Sequence, residues 1–177
     1  DALVDLVVSI FEIRKLGAPV NFLGVEIQRN RGAGTVTLTQ TAKARALAAA
    51  HEVQGAWRRV PMSPECFASL PAAQPGEAMA DKVGYQRTIG SLLHLAQCTL
   101  PDLALPVGAL AAYALAPSEA HYDAMLDVVR YVGSTDGRGV TYGGSDKPLG
   151  FWCDVNFAAC QDTRRSTTGW VVVMYGG

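Results

Sequence analysis

The apolar positions switch from helical to alternating spacing at Phe22 and again near Gly139, and glycine or proline brackets each switch. Leu3, Leu6, Val7, Ile10 and Phe11 share one helical stripe, with Asp1, Asp5, Ser9 and Glu12 opposite, and Gly17 then Pro19 ends that helix. Asn21 to Gln28 and Thr35 to Gln40 read as strands joined by the turn-rich Arg29–Gly34, a β-hairpin. Thr41 is expected to cap an alanine-rich helix reaching about Val53. Gly55 to Ala80 carries Pro61, Pro64, Pro71 and Pro75 with no periodicity, which predicts a surface connector. Helices follow over 83–99, 101–116 and 118–133, and Pro106 should kink the second or delay its start. Ile89, Leu92, Leu93, Leu110, Met125 and Val129 are the expected main core, with Leu95, Leu103 and Leu105 also expected between the helices. Gly139 to Tyr142, Leu149 to Asp154 and Thr168 to Tyr175 read as strands of one open antiparallel sheet.

Composition narrows the function. The hydrophobic fraction is 49% and the charged fraction 18%, below the roughly 25% usual for soluble domains, which excludes a disordered chain. A net charge of −1 supplies no large field for a polyphosphate strand, so any contact with nucleic acid must be local. Cys66, Cys98, Cys153 and Cys160 form no CxxC pair, and His51, His94 and His121 are scattered, which argues against zinc. Unpaired cysteines suit an intracellular, reducing compartment. No apolar run is long enough to span a bilayer, and no signal-peptide pattern opens the chain. The chain starts inside a helical pattern, as a fragment would.

The order of short motifs says more. Phe22-Leu23-Gly24-Val25-Glu26-Ile27 followed by Thr35-Val36-Thr37-Leu38-Thr39-Gln40 resembles the FLGIEI…ITLSQ hairpin of copia-type retrotransposon reverse transcriptases. Val60-Pro61-Met62-Ser63-Pro64 is similar to their TPM connector, and the run from Tyr85 to Leu95 to their YR-x-x-VGSL-x-YL helix. Pro101-Asp102-Leu103 looks like RPDI, and His121 with Val129-Arg130-Tyr131-Val132 like H-W…VLRYLKGT. Gly150 to Ala158, then Asp162 to Gly169, resembles GYSDADWAGD…DRRSTSG, which opens the family's ribonuclease H domain. Single motifs of this kind are weak; six in family order are specific.

The resemblance implies an α+β chain. A palm-end helix and a primer-grip-like β-hairpin lead into a helical thumb/connection region, then the first antiparallel strands of a ribonuclease H-like sheet. It divides the chain into the palm end and start of the thumb-like region (1–54), a Pro-rich connector (55–81), a helical connection region (82–136) and a truncated ribonuclease H-like domain (137–177). It also implies RNA–DNA or DNA duplex and the rest of a polyprotein as partners, and Mg²⁺ as the parent enzyme's cofactor. No membrane partner is expected.

Polymerisation by this family uses aspartates that include a Tyr-x-Asp-Asp turn, and this chain has no Asp-Asp dipeptide. Asp154 stands where the family places its first ribonuclease H metal ligand, with Asn156 in place of the other acidic residue of SDAD. A single carboxylate is expected to bind Mg²⁺ weakly, so the chain alone should be inactive and hold no metal tightly. Phe22, Leu23 and Gly24 match the primer-gripping element, where a glycine lets a phosphate approach the backbone. The favoured reading of Phe22 and Leu23 is nevertheless structural, with both packed under a helix. Lys43, Arg164 and Arg165 are the candidate phosphate contacts, with Arg45, Arg58 and Arg59 nearby. His121 is expected to pack or cap. Trp57 and Trp152 could stack on bases but are expected in the core. The terminal sheet, lacking a covering helix, is expected to self-associate or be covered by a partner. The alternative function is a non-catalytic protein-interaction module derived from a retroelement.

Overall fold

The computed structural model describes residues 2–13, 17–53, 58–70, 81–144, 146, 148–157, 164 and 166–177. The elements run α1 (Ala2–Ile10), β1 (Asn21–Phe22), β2 (Val25–Asn30), β3 (Thr35–Thr39), α2 (Thr41–Ala50), α3 (Pro64–Ala68), α4 (Lys82–Cys98), α5 (Ala104–Ala111), α6 (Glu119–Gly133), β4 (Gly139–Gly143), β5 (Gly150–Asn156) and β6 (Thr167–Val173). The mixed helix-and-strand class expected from the sequence is borne out. No described helix is long and apolar enough to cross a membrane.

The core lies between α2, α4, α5 and α6. Helix α6 buries His121, Ala124, Met125, Val128, Val129, Tyr131 and Val132, a stripe at helical spacing. It meets Tyr85, Ile89, Leu92 and Leu95 of α4 and Val107 and Leu110 of α5. Each large side chain so buried contributes about 1.5–3 kcal/mol. Of the residues expected between the helices, Leu93 stays partly buried at the edge of the core and Leu105 is 61% exposed, on the outer side of α5. Buried Tyr85 donates its hydroxyl to the Leu110 carbonyl at 2.8 Å, so the one polar atom of that ring is satisfied. Burial pushes the Tyr85 phenol well above its ordinary range.

Pro106 acts as the sequence suggested. A short 3₁₀ turn over Pro101–Leu103 comes first, and α5 starts at Ala104 with Pro106 in its opening turn, where a missing N–H costs nothing. The helix then ends earlier than expected, at Ala111, and tightens into i→i+3 bonds through Ala116. The cap of α2 also differs. The N-cap position is Gln40, one residue before Thr41, and its side chain makes no cap bond. Within the connector, Ser63 caps the short helix α3 by accepting from the Cys66 N–H.

Strand pairing departs from expectation. β4 does not join β5 and β6; it pairs with β3 to complete a four-stranded antiparallel sheet of order β1-β2-β3-β4. Alternation identifies a strand but not its neighbour. The neighbour follows from the helices, because β3 runs straight into α2, α6 packs on α2, and the strand leaving α6 therefore emerges beside β3. Gly139 makes the approach possible, since a Cβ there would lie 1.9 Å from the Leu38 carbonyl oxygen. The Thr37 and Thr141 hydroxyls then bond across the strands at 2.9 Å.

β5 and β6 form a separate two-stranded ribbon with Cys153 opposite Trp170. Its large side chains stay exposed, Phe151 by 63%, Trp152 by 59% and Trp170 by 68%. The expected core place for Trp152 is therefore wrong. Helix α1 likewise buries no residue and turns Leu3, Leu6 and Ile10 to solvent.

Leu92→Ala should cost about 2–5 kcal/mol in urea unfolding, because it opens a cavity in a fully buried site. Amide exchange should be slowest in α4 and α6 and fastest in the ribbon. A ribbon slower than the helices would show that it is covered in solution.

Candidate nucleic-acid interface

The Phe22-Leu23-Gly24-Val25 segment folds as a two-residue hairpin turn. Phe22 pairs with Val25, and Leu23 and Gly24 both take positive φ, 51° and 80°. Such a turn matches the twist of its flanking strands and favours glycine at the second position. Apart from its two neighbours, no atom of the described residues lies within 4 Å of where a Cβ of Gly24 would sit, so glycine here serves conformation. Phe22 is 64% and Leu23 75% exposed. The expectation that they pack under a helix fails, because the turn carries both side chains beyond the sheet. Val20, also exposed, extends the same apolar tip.

One strand along, Glu26 does something the sequence did not disclose. Its carboxylate accepts the Ala42 N–H at 2.9 Å and the Thr39 hydroxyl at 3.0 Å. An acidic group at a helix N-terminus satisfies an orphan donor and complements the dipole. Glu26 therefore caps α2 from the neighbouring strand.

Lys43 sits in the first turn of that helix, half-buried, and its ammonium donates to His94 Nδ1 at 3.0 Å. Gln40 Nε2 donates to the same nitrogen at 2.7 Å, while Gln40 Oε1 accepts the Thr99 hydroxyl at 2.9 Å. An ammonium can only donate, so His94 Nδ1 is the bare nitrogen of the ring. This polar bridge ties α2 to the C-terminal half of α4. A second bridge ties the same helices further along, where His51 Nε2 meets the Thr88 hydroxyl at 2.9 Å. Burial lowers the His51 pKa from its ordinary 6.5.

Of the other basic candidates Arg45 and Arg58 are engaged with carboxylates, while Arg59 is exposed. Arg45 grips Asp136 through two nitrogens, at 2.9 and 2.5 Å, and the hydrogen bond to Arg45 holds the Asp136 carboxyl below its usual range. Arg58 and Arg130 share Asp127 Oδ1, both at 2.6 Å. Tyr131 donates to Asp102 and accepts from Arg138 at 2.7 Å. Arg164 lies exposed before β6, with φ 53°. Arg165, like Arg14, Lys15, Trp57, Cys160 and Asp162, lies outside the described residues. His121 caps and packs as expected. Its Nδ1 accepts from the Ser118 backbone at 3.0 Å, and its ring stacks on Tyr113 at 4.0 Å.

Asp154 is exposed and its carboxylate accepts the N–H of Val155, the next residue, at 2.8 Å. Among the described residues no three His, Cys, Asp or Glu side chains gather closely enough to hold a metal ion. The residues described here therefore do not fit a two-ion hydrolytic site. Among the described residues the candidate nucleic-acid contacts stand on the β1–β2 turn, the first turn of α2 and the loop before β6, and Asp154 stands apart on β5.

Comparison with known proteins now bears on this arrangement. The chain is 35% identical over 96 residues to the retrovirus-related Pol polyprotein from transposon TNT 1-94 of Nicotiana tabacum, covering 54% of this chain and 7% of that protein. A putative transposon Ty5-1 protein of Saccharomyces cerevisiae is 25% identical over 169 residues, 95% of this chain and 54% of its own length. The secreted RxLR effector protein 161 of Plasmopara viticola is 36% identical over 97 residues, 54% of this chain and 68% of that protein. No protein-family model and no solved structure matches. The chain belongs to the Pol polyprotein family of retrotransposons. It spans only a small part of its polyprotein relatives, 7% of TNT 1-94 and 8% of the Arabidopsis thaliana RE1 polyprotein.

Within this Pol segment the departures from the quoted motifs acquire reasons. Gly133 stands where LRYLKGT has lysine, and a Cβ there would come 3.1 Å from the Ala48 Cβ, so the glycine lets α6 lie close on α2. Tyr131 of the RY pair donates to Asp102 of the RPDI-like turn, so the two motif segments meet in this fold.

Glu26→Ala should destabilise the chain by about 1–2 kcal/mol, with the loss appearing as fraying of α2 in amide exchange. Unchanged protection of 41–44 would contradict the capping role. For His51 the folded pKa is lowered, so its stabilisation is complete above pH 6.5 and is lost as pH falls below that value. Urea midpoints should therefore drop just below pH 6.5, and His51→Gln should flatten that part of the profile.

Proposed function

We propose that this chain is the part of a copia-type Pol polyprotein that runs from the end of the reverse transcriptase palm, through the thumb-like and connection helices, into the start of ribonuclease H. Its contribution is to hold and position the primer–template duplex, while polymerisation and strand hydrolysis belong to the whole polyprotein. Six motifs in family order support this reading, as does the similarity to transposon Pol proteins along the chain.

The observation that carries the duplex-contacting role is the bare hairpin tip. Phe22 and Leu23 are held out by a turn of fixed shape, and no core residue covers them. Apolar faces presented by a rigid turn suit sugar and base surfaces, and Gly24 leaves the adjacent backbone N–H open to a phosphate. Arg164 and Arg165 supply a local charge for further phosphate oxygens. Lys43 keeps donors beyond the one given to His94 and can serve the same strand. Mg²⁺ acts in the parent enzyme, and Asp154 is its one candidate ligand here. With one carboxylate and no Asp-Asp pair, the chain alone neither extends a primer nor cleaves an RNA–DNA hybrid. The cysteine pattern fits work in a reducing compartment.

A second reading, a non-catalytic interaction module, is favoured by one observation. The 97 residues matched in the effector protein make up 68% of it, so much of this segment recurs in a protein that is not a polyprotein.

Titration with a primed RNA–DNA duplex at two salt concentrations separates the two. The first reading expects weak binding with a log–log salt slope of about −2 to −3, weakened several-fold by Phe22→Ala. Absence of binding at low salt would favour the module, and primer extension or hybrid cleavage abolished by Asp154→Asn would overturn the assignment of inactivity.

A further inference from the structure

Lys43 is held by a neutral group. Arg45, Arg58, Arg130 and Arg138 each meet a carboxylate, whereas among the described residues the Lys43 ammonium bonds His94 Nδ1 and no carboxylate. A carboxylate fixes a cation and cancels its charge, while an imidazole nitrogen fixes it and leaves the charge for another anion. The orientation of the whole set follows from that one contact. An ammonium can only donate, so the ring of His94 is neutral and its proton sits on Nε2. Gln40 must then turn its NH₂ toward Nδ1, at 2.7 Å, which leaves its oxygen for the Thr99 hydroxyl at 2.9 Å. Gln40 is 2% and Thr99 1% exposed, so the inner end of this relay is locked in the interior. Lys43, at the outer end, is half-buried and keeps two further N–H donors.

Given the duplex-holding role on which this rests, we propose that His94 is the positioning residue for Lys43. It presets the ammonium, with its charge intact, for a phosphate of the strand that the hairpin tip engages. The tip and the ammonium stand at the same end of the sheet. Phe22 pairs with Val25, the next residue Glu26 pairs with Thr39, and the Glu26 carboxylate accepts the N–H of Ala42, the neighbour of Lys43. A loose lysine loses side-chain freedom when it binds, and one already held loses less. A preset Lys43 should therefore bind about two- to tenfold tighter than a loose one. His94 stands where the YR-x-x-VGSL-x-YL motif has its second tyrosine, so this arrangement is a feature of the present chain.

Titration of the full chain with a primed RNA–DNA duplex at low salt tests this as a double-mutant cycle. His94→Leu should weaken binding about two- to tenfold, and Lys43→Ala at least as much. His94→Asn, whose Oδ1 can replace Nδ1 as the acceptor, should keep the wild-type affinity. In the Lys43→Ala background His94→Leu should change nothing further, whereas a merely structural histidine would weaken both backgrounds alike. Far-ultraviolet dichroism reports that each variant is folded. Long-range ¹H–¹⁵N spectra of the wild type at neutral pH need no variant, and should show a bare Nδ1 on His94 with the proton on Nε2. Three results would overturn the role of His94 alone: a proton on Nδ1, additive losses in the cycle, or binding that Phe22→Ala weakens and His94→Leu does not. A wild type that binds no duplex overturns the duplex-holding reading and this role with it.

Discussion

Burial of one face of α6 is the constraint on which the remaining structure rests. Its stripe from His121 to Val132 touches α2, α4 and α5, and so brings α2 into one core with the α4–α5 pair. The docking of α6 on α2 also decides where the chain goes next, which sets β4 against β3. The Arg45–Asp136 pair and the Asp102–Tyr131–Arg138 cluster lie just beyond, at the end of α6 and the start of β4. These are partly exposed contacts of modest strength, and they serve to fix direction more than to supply stability.

The use of charge follows from its scarcity. In a chain with 15 basic and 16 acidic residues, several cations are already matched to carboxylates inside the fold. Arg45, Arg58, Arg130 and Arg138 all have such partners, and Lys43 is drawn toward His94. Beside exposed Arg164, what the fold offers an outside partner is largely shape: an apolar hairpin tip and an apolar ribbon. A surface of that kind discriminates by fit and burial, with little long-range attraction to guide the approach.

Local features and the β2–β3 hairpin were legible in the sequence, and pairing between distant segments was not. Periodicity located the strand segments and every helix but α3, proline the delayed start of α5, and His121 was read as the packing and capping residue it is. Thr41 misled because the true cap, Glu26, is supplied by a neighbouring strand, which no spacing along one helix can reveal. Phe22 and Leu23 misled because apolar residues are usually inside, whereas two consecutive positive φ angles turn these two away from the sheet. The partner of β4 was hidden for the same reason as Glu26: it depends on how distant helices stack. Asp154 was readable as a motif position but not as a site, because a ligand set is a property of several elements at once.

The closure of the sheet has a consequence for how the chain acquires its structure. The Thr37–Thr141 bond joins residues 104 apart in sequence, so β3 stays an open edge until β4 has been made and α6 has settled. Pairings this distant form late and slowly. During synthesis the first hairpin must therefore wait, with its threonine strand unpaired, for a segment made long after it. The order of synthesis, and not only the final contacts, sets how long this Pol segment is vulnerable to pairing with the wrong strand.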